Sequence, residues 1–409
     1  MRIPQDTEAL LCCLDMSSDE VTLARLKRLP GLDWTRIVRQ AARRGLAPLL
    51  YERLRPLSSG LAIPDAALRT LRRMYLGSAA RNAFTYHQLW ALLRTLHEGR
   101  IQVALLKGAH LAKLVYGNIA LRPMADLDLL VRRTDMEEAG RALLAAGYKP
   151  HPHNPWYQKT GHHHLAYVPR AEGVNVELHW DIRRWPAAEN GHADGLWHRA
   201  EPLCIDGIDA LGLSAEDLLL HVCLHTCSQH ILSNGLVGLC DICQIARCYG
   251  GELQWNEVER RARHWAARKP IYLALRLARE LLGAPVPEET IGTLEHDDLD
   301  AQVVAWAKDV VLADTMSMPF GLPKLWRAKR LRDKAIVLLR AGFPSREAMA
   351  AARAMRPDSP WIYPCYLVRV ASLLRRYPVE LWRLLWRGKA VGALLENRNA
   401  VEDWLKGPQ

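Results

Sequence analysis

In the stretch "LRPMADLDLLV", residues 121–131, Asp126 and Asp128 stand two apart inside an apolar run. Side chains of an extended strand alternate between its faces. The two carboxylates therefore share one face, while Leu127 and Leu129 share the other and can pack on helices. Two carboxylates this close raise one another's pKa unless a cation lies between them. Mg2+ meets that need, because it takes hard oxygen ligands and commonly uses one or two carboxylates together with substrate phosphates. The plain alternative is a solvated strand face with chance acids, and D-x-D alone does not separate the two.

Two further features favour the cation site. In "VNVELHW", Glu177 and His179 alternate with Val176 and Leu178, so Glu177 points away from its apolar neighbours. If this strand lies beside the first, Glu177 completes a three-carboxylate cluster, able to hold two metals. In "RIQVALLKG", a short apolar strand ends at Lys107-Gly108 and a helix opens. Backbone N–H groups at such a turn favour phosphate. Lys107 adds a point charge and Arg122 a guanidinium fork.

The surrounding pattern places this site in a small α/β unit between helical regions. Residues 1–98 read as helical: "DWTRIVRQAARRGLAPLLYERL" has near-3.6 periodicity with Gly45 as a stop, and a long helix runs from Pro64-Asp65 to Glu98-Gly99. Residues 99–207 read as strand, helix, strand, a helix capped by Thr134 and ended by Gly147, then strands in "WYQKT", "HHHLAYVP" and "VNVELHWDI". Residues 208–409 read as helical, with Ser214 and Asp217 opening the first helix in a capping-box-like way. The expected fold is thus an α/β (α+β) core with a small mixed sheet, flanked by all-helical N- and C-terminal regions.

At this point the residues resemble a known family. Strand, K-G, helix, then R-P-M-x-D-L-D-L-L-V and V-E-L-H-W are similar to the uncharacterised nucleotidyltransferase family of the DNA polymerase beta-like superfamily. The resemblance covers roughly residues 30 to 250 and includes His221, His225 and Asp241 in the later helices. It implies attack by an acceptor hydroxyl on the α-phosphate of a nucleoside triphosphate, with release of pyrophosphate. Asp126, Asp128 and Glu177 are then the metal-binding and catalytic acids, with Mg2+ as cofactor and Mn2+ as its substitute; Glu177 also helps to deprotonate the acceptor. Lys107, Gly108 and Arg122 are expected to hold the triphosphate, and His164, His179, His221, His225 and Asp241 to line or support the nucleotide cleft. Lys107-Gly108-Ala109 replaces the superfamily's Gly-Ser turn, so that serine contact is absent.

Two other readings use the same residues. One is a triphosphate-binding regulatory or partner protein with an inactive core. The other is a D-x-D glycosyltransferase, which the roughly 100 helical residues before a single strand–helix unit argue against. A net charge of +11 suits anionic partners, and the acceptor stays open among small molecules, peptides or proteins, and RNA. With neither a signal peptide nor a spanning apolar run, the expected compartment is the cytoplasm. A basic C-terminal stretch with Trp382, Leu385 and Trp386 has the composition of membrane-surface helices, although packing on the domain is favoured. Cys240 and Cys243 form one C-x-x-C with no second pair, so they and Cys223 and Cys227 read as buried thiols.

Overall fold

The structure is a computed structural model. It describes residues 3–313 except 16, 152–153, 155–162, 183–191, 230, 233–234, 297 and 300, together with scattered positions from 332 to 350, and 358–376 and 388–407. Five helices lead: α1 (Gln5–Leu14), α2 (Asp19–Lys27), α3 (Trp34–Arg43), α4 (Ala47–Leu54) and α5 (Asp65–Glu98). Their ends follow local chemistry. Ser18 Oγ accepts from Val21 N, and Asp33 Oδ1 accepts from Arg36 N at 3.1 Å. Gly45 ends α3 in the left-handed conformation, at a φ of +71°. The 34-residue α5 extends for about 50 Å at 1.5 Å per residue.

Seven strands form one mixed sheet: β1 (Ala104–Leu105), β2 (Asp126–Leu130), β3 (Tyr148–Pro150), β4 (His164–Pro169), β5 (Asn175–His179), β6 (Glu201–Ile205) and β7 (Ile208–Gly212). Their spatial order is β3-β4-β5-β2-β1-β7-β6. The central β2 pairs antiparallel with β1 and parallel with β5. Between β1 and β2 lie a single α-helical turn, α6 (Lys107–His110), and a π-helical turn, Leu111–Val115. Helix α7 (Met136–Ala145) follows β2. Leu127, Leu129, Val176 and Leu178 pack into one core with Leu89, Leu93 and Leu96 of α5 and Leu143 of α7. On the other face, α8 (His192–Arg199), α9 (Ala215–Leu224), α10 (Gly235–Tyr249), α11 (Trp255–His264) and α12 (Arg268–Leu282) join α1, α3 and α4 in a larger core that also takes in Leu130 and Ile182.

The α+β core between helical regions matches the expected class, with three local differences. Residues 208–212 are a strand rather than helix, because Asp206 and Gly207, at φ +50° and +87°, make a tight Asp-Gly hairpin turn and return β7 to pair parallel with β1. The helix opens later, at Ala215, and there Ser214 Oγ does accept from Asp217 N. Thr134 is not the cap of α7: it lies in a 3-10 turn and donates to Asp135 Oδ1, and Asp135 takes the cap position. Tyr148–Pro150 adds a strand beyond those the sequence pattern predicts, and "WYQKT" lies outside the described residues, as do Trp382, Leu385 and Trp386. No helix among the described residues is long and apolar enough to cross a membrane.

Candidate active site on the sheet face

The parallel register of β2 and β5 sets Asp128 opposite Glu177 and Leu130 opposite His179. The antiparallel register of β4 sets His164 opposite His179. Strand alternation then brings Asp126, Asp128, Glu177, His179 and His164 to one face, with Leu127, Leu129 and Leu178 on the reverse. Lys107 reaches this face from the adjoining turn, where its backbone adopts a left-handed φ of +40°. A non-glycine residue held there stores of order 1 kcal/mol, and such strain gathers at functional sites.

The contacts divide the two aspartates. Asp128 is 4% exposed and its Oδ1 accepts from Lys107 Nζ at 2.7 Å and from His179 Nε2 at 2.9 Å. Burial alone raises its carboxyl, but Lys107 and His179 outweigh that and hold it well below the usual range. His179 Nε2 also lies 3.3 Å from Glu177 Oε2. With two carboxylates as its acceptors, the ring carries its proton on Nε2. Burial works against a charged His179, yet these acceptors raise it, and His179 in turn keeps Glu177 low despite burial. Asp126 is half-buried and has no hydrogen bond or ion pair among the described residues. Burial first, then the charges of Asp128 and Glu177, push its carboxyl up to about 6.

Gly108 is required by the loop that precedes β2. A Cβ on Gly108 would lie 2.8 Å from Met124 Cγ, so the K-G turn and the R-P-M segment are complementary surfaces. Helix α5 clamps both: Tyr86 OH donates to Ala109 O at 2.7 Å, while Asn82 Nδ2 donates to Ile119 O and Arg122 O, and Asn82 Oδ1 accepts from Met124 N at 3.3 Å. Asn82 and Tyr86 escaped the sequence reading. Their signal was present, as a polar pair at i, i+4 inside the apolar stripe of a long helix.

Arg122 and Asp241 are brought together, but chiefly with each other. Arg122 Nε meets both Asp241 oxygens at 2.9 and 3.0 Å, Arg122 Nη1 donates to Pro123 O at 2.7 Å, and Tyr116 OH donates to Asp241 Oδ1 at 2.8 Å. This buried knot ties the loop before β2 to α10. His221 of α9 is fully buried, and neither ring nitrogen has a hydrogen-bond partner among the described residues. Burial and then the charge of Lys107 push it down to about 3, so it is neutral and close enough to sense Lys107, His179 and Asp128. His225 closes α9, with its ring 6.4 Å from that of His221. His163, not among the expected site residues, is buried with its ring 5.3 Å from those of His164 and His179. It sits just outside β4, where strict alternation does not govern direction; His162 lies outside the described residues. Cys223, Cys227, Cys240 and Cys243 are free, buried thiols.

Asp128, Glu177 and His179 offer ligand atoms within 4.8 Å of one another, and so do His163, His164 and His179. The sheet face can therefore hold a metal ion. No curated protein matches the chain at a significant level. The family model described as "Uncharacterised nucleotidyltransferase" matches residues 30–283, more than half of the chain, across α3 to α5, the whole sheet and α8 to α12. The chain belongs to this uncharacterised nucleotidyltransferase family.

Proposed function

We propose that the protein transfers a nucleoside monophosphate from a nucleoside triphosphate to an acceptor hydroxyl, releasing pyrophosphate, in an Mg2+-dependent reaction. The observation that carries this reading is the register of β2 and β5, which gathers Asp126, Asp128 and Glu177 on one sheet face beside Lys107. The donor set fits a hard divalent cation. Among the described residues Asp126 has no hydrogen-bond or ion-pair partner, and the charge of its two neighbours is what a cation would relieve. Asp126, Asp128 and Glu177 would hold Mg2+, and Mn2+ suits the same oxygens. When bound, the ion supplies Lewis-acid neutralisation of phosphate charge and activation of the acceptor oxygen.

The chain's own groups have separate tasks. Lys107 offsets the negative cluster and presents its ammonium to the incoming triphosphate. His179 fixes Asp128 and Glu177 as ionised carboxylates, which suits them to ligation rather than proton transfer. Arg122, Asp241, Tyr116 and Asn82 position the loop that leads into β2. His221, buried with neither ring nitrogen hydrogen-bonded among the described residues, would offer hydrogen bonding to the nucleotide, with His164 and His225 in supporting positions.

The test is incubation with labelled nucleoside triphosphates, Mg2+ and cell extract, followed by mass spectrometry for a nucleotidylated product. Asp126→Ala is expected to abolish product while the protein stays folded. Turnover retained by that variant sinks the reading. Triphosphate binding by the wild type without any product would favour the inactive-core alternative instead.

A further inference from the structure

We infer that the histidines beside the carboxylates form a second cation site, for a first-row transition-metal ion with zinc-like preferences: His163, His164 and His179 are its ligands and Asp128 is its orienting carboxylate. The inference concerns binding alone and stands whether or not the chain transfers nucleotides.

Three observations support it. One ligand nitrogen from each ring falls within 4.8 Å of the other two. The ring centroids are 4.9 Å apart for His164 and His179, and 5.3 Å for His163 with each of the others. Ligands at about 2.0–2.1 Å from a tetrahedral ion lie roughly 3.3 Å apart, so rotamer adjustments within this group suffice to close it. His164 and His179 come from adjacent strands and stand opposite each other in register, and His163, the residue before β4, accepts at its carbonyl from Trp180 N at 3.1 Å, so the backbone holds the three as a set.

His179 has a further property of a metal ligand. Its Nε2–H is held by Asp128, while its Nδ1 is buried with no hydrogen-bond partner among the described residues. A metal-binding imidazole characteristically donates its other ring N–H to a carboxylate, which fixes the tautomer and raises the basicity of the ligating nitrogen. The remaining nitrogen of His179, Nδ1, then keeps its lone pair for a metal ion.

Donor chemistry separates this site from the neighbouring one. Mg2+ prefers oxygen and a near-octahedral shell, which three imidazoles do not provide. Imidazole suits Zn2+, Co2+, Ni2+ and Fe2+. Three protein nitrogens leave a fourth position open, the pattern of an exchangeable rather than a sealed site. The same end of the sheet thus offers an oxygen-rich position on β2 and β5 and a nitrogen-rich one on β5, β4 and the residue that precedes β4.

The test uses the full chain, stripped with chelator and titrated with Zn2+ alone, with no nucleotide present. Bound zinc is read by elemental analysis and by competition with a chromogenic chelator. The expected result is one zinc per chain that an excess of Mg2+ does not displace. Co2+ in its place should give the intense visible bands of a four-coordinate nitrogen-rich site. His164→Gln and Asp128→Asn are each expected to weaken zinc at least tenfold, Asp128→Asn through ligand orientation. Wild-type protein that retains no zinc, zinc displaced by equimolar Mg2+, or a six-coordinate Co2+ spectrum each overturns the inference. So does undiminished zinc affinity in His164→Gln. The Co2+ spectrum needs only the wild type, so the inference stays testable if a variant fails to fold.

Discussion

Asp126 and Asp128 look equivalent as a D-x-D pair, but neutralising each should move stability in opposite directions. In metal-free protein Asp126 is pushed from 3.8 up to about 6. The unfolded chain releases this proton near 3.8 while the folded chain keeps it until about 6, so the folded state loses stability as pH rises through that window. Two units at 1.36 kcal/mol each give ~3 kcal/mol as an upper figure at neutral pH. Asp126→Asn removes that loss and should raise the unfolding free energy by about 1–3 kcal/mol near neutral pH, and by almost nothing near pH 4. Asp128→Asn instead leaves Lys107 buried without its counter-ion, which costs about 3–5 kcal/mol. The assay is urea unfolding of wild type and both variants in chelator, at pH near 4 and near 7. Added Mg2+ should then stabilise the wild type and not Asp126→Asn, since a ligand stabilises only the state that binds it. If Asp126→Asn destabilises the protein as Asp128→Asn does, or if its effect is independent of pH, the electrostatic account of the site is wrong.

Gly108→Ala drives a methyl into Met124 and should cost about 1–3 kcal/mol, with Met124→Ala in the same chain recovering part of it; denaturant midpoints of the two single variants and the double variant decide this. Asn82→Ala leaves Ile119 O, Arg122 O and Met124 N without their partner, for a loss of about 1–3 kcal/mol, and should increase hydrogen exchange in the loop before β2. His110 is buried and pushed down to about 4, so the unfolded chain takes up a proton near 6.5 that the folded chain refuses. Stability should therefore fall as pH drops from 6.5 towards 4, by up to ~3 kcal/mol from this group, and His110→Leu should flatten that part of the pH profile. A profile unchanged by that substitution would place the acid sensitivity elsewhere.

Local rules made much of the site legible. A period of two puts Asp126 and Asp128 on one face and Leu127 and Leu129 on the other, and the leucines do enter the core against α5 and α7. The long α5 announces both its ends, through Pro64-Asp65 and Gly99. The Asp206-Gly207 turn was equally local and was missed because the flanking strands are short and weakly alternating. Thr134 has the chemistry of a cap, and nothing in the sequence shows the 3-10 turn that intervenes.

By itself, then, the sequence determined the alternation of β2, the carboxylates it exposes, the acid on a second strand and the family to which such a pattern belongs. Only the tertiary structure decided that Asp128 opposes Glu177, that Lys107 and His179 both bond to Asp128 while Asp126 has no ion pair among the described residues, and that Arg122 faces Asp241. The difference is one of range. Strand periodicity is set by neighbouring residues, whereas charge compensation in a buried site depends on which distant segments the packing brings within about 3 Å of each carboxylate.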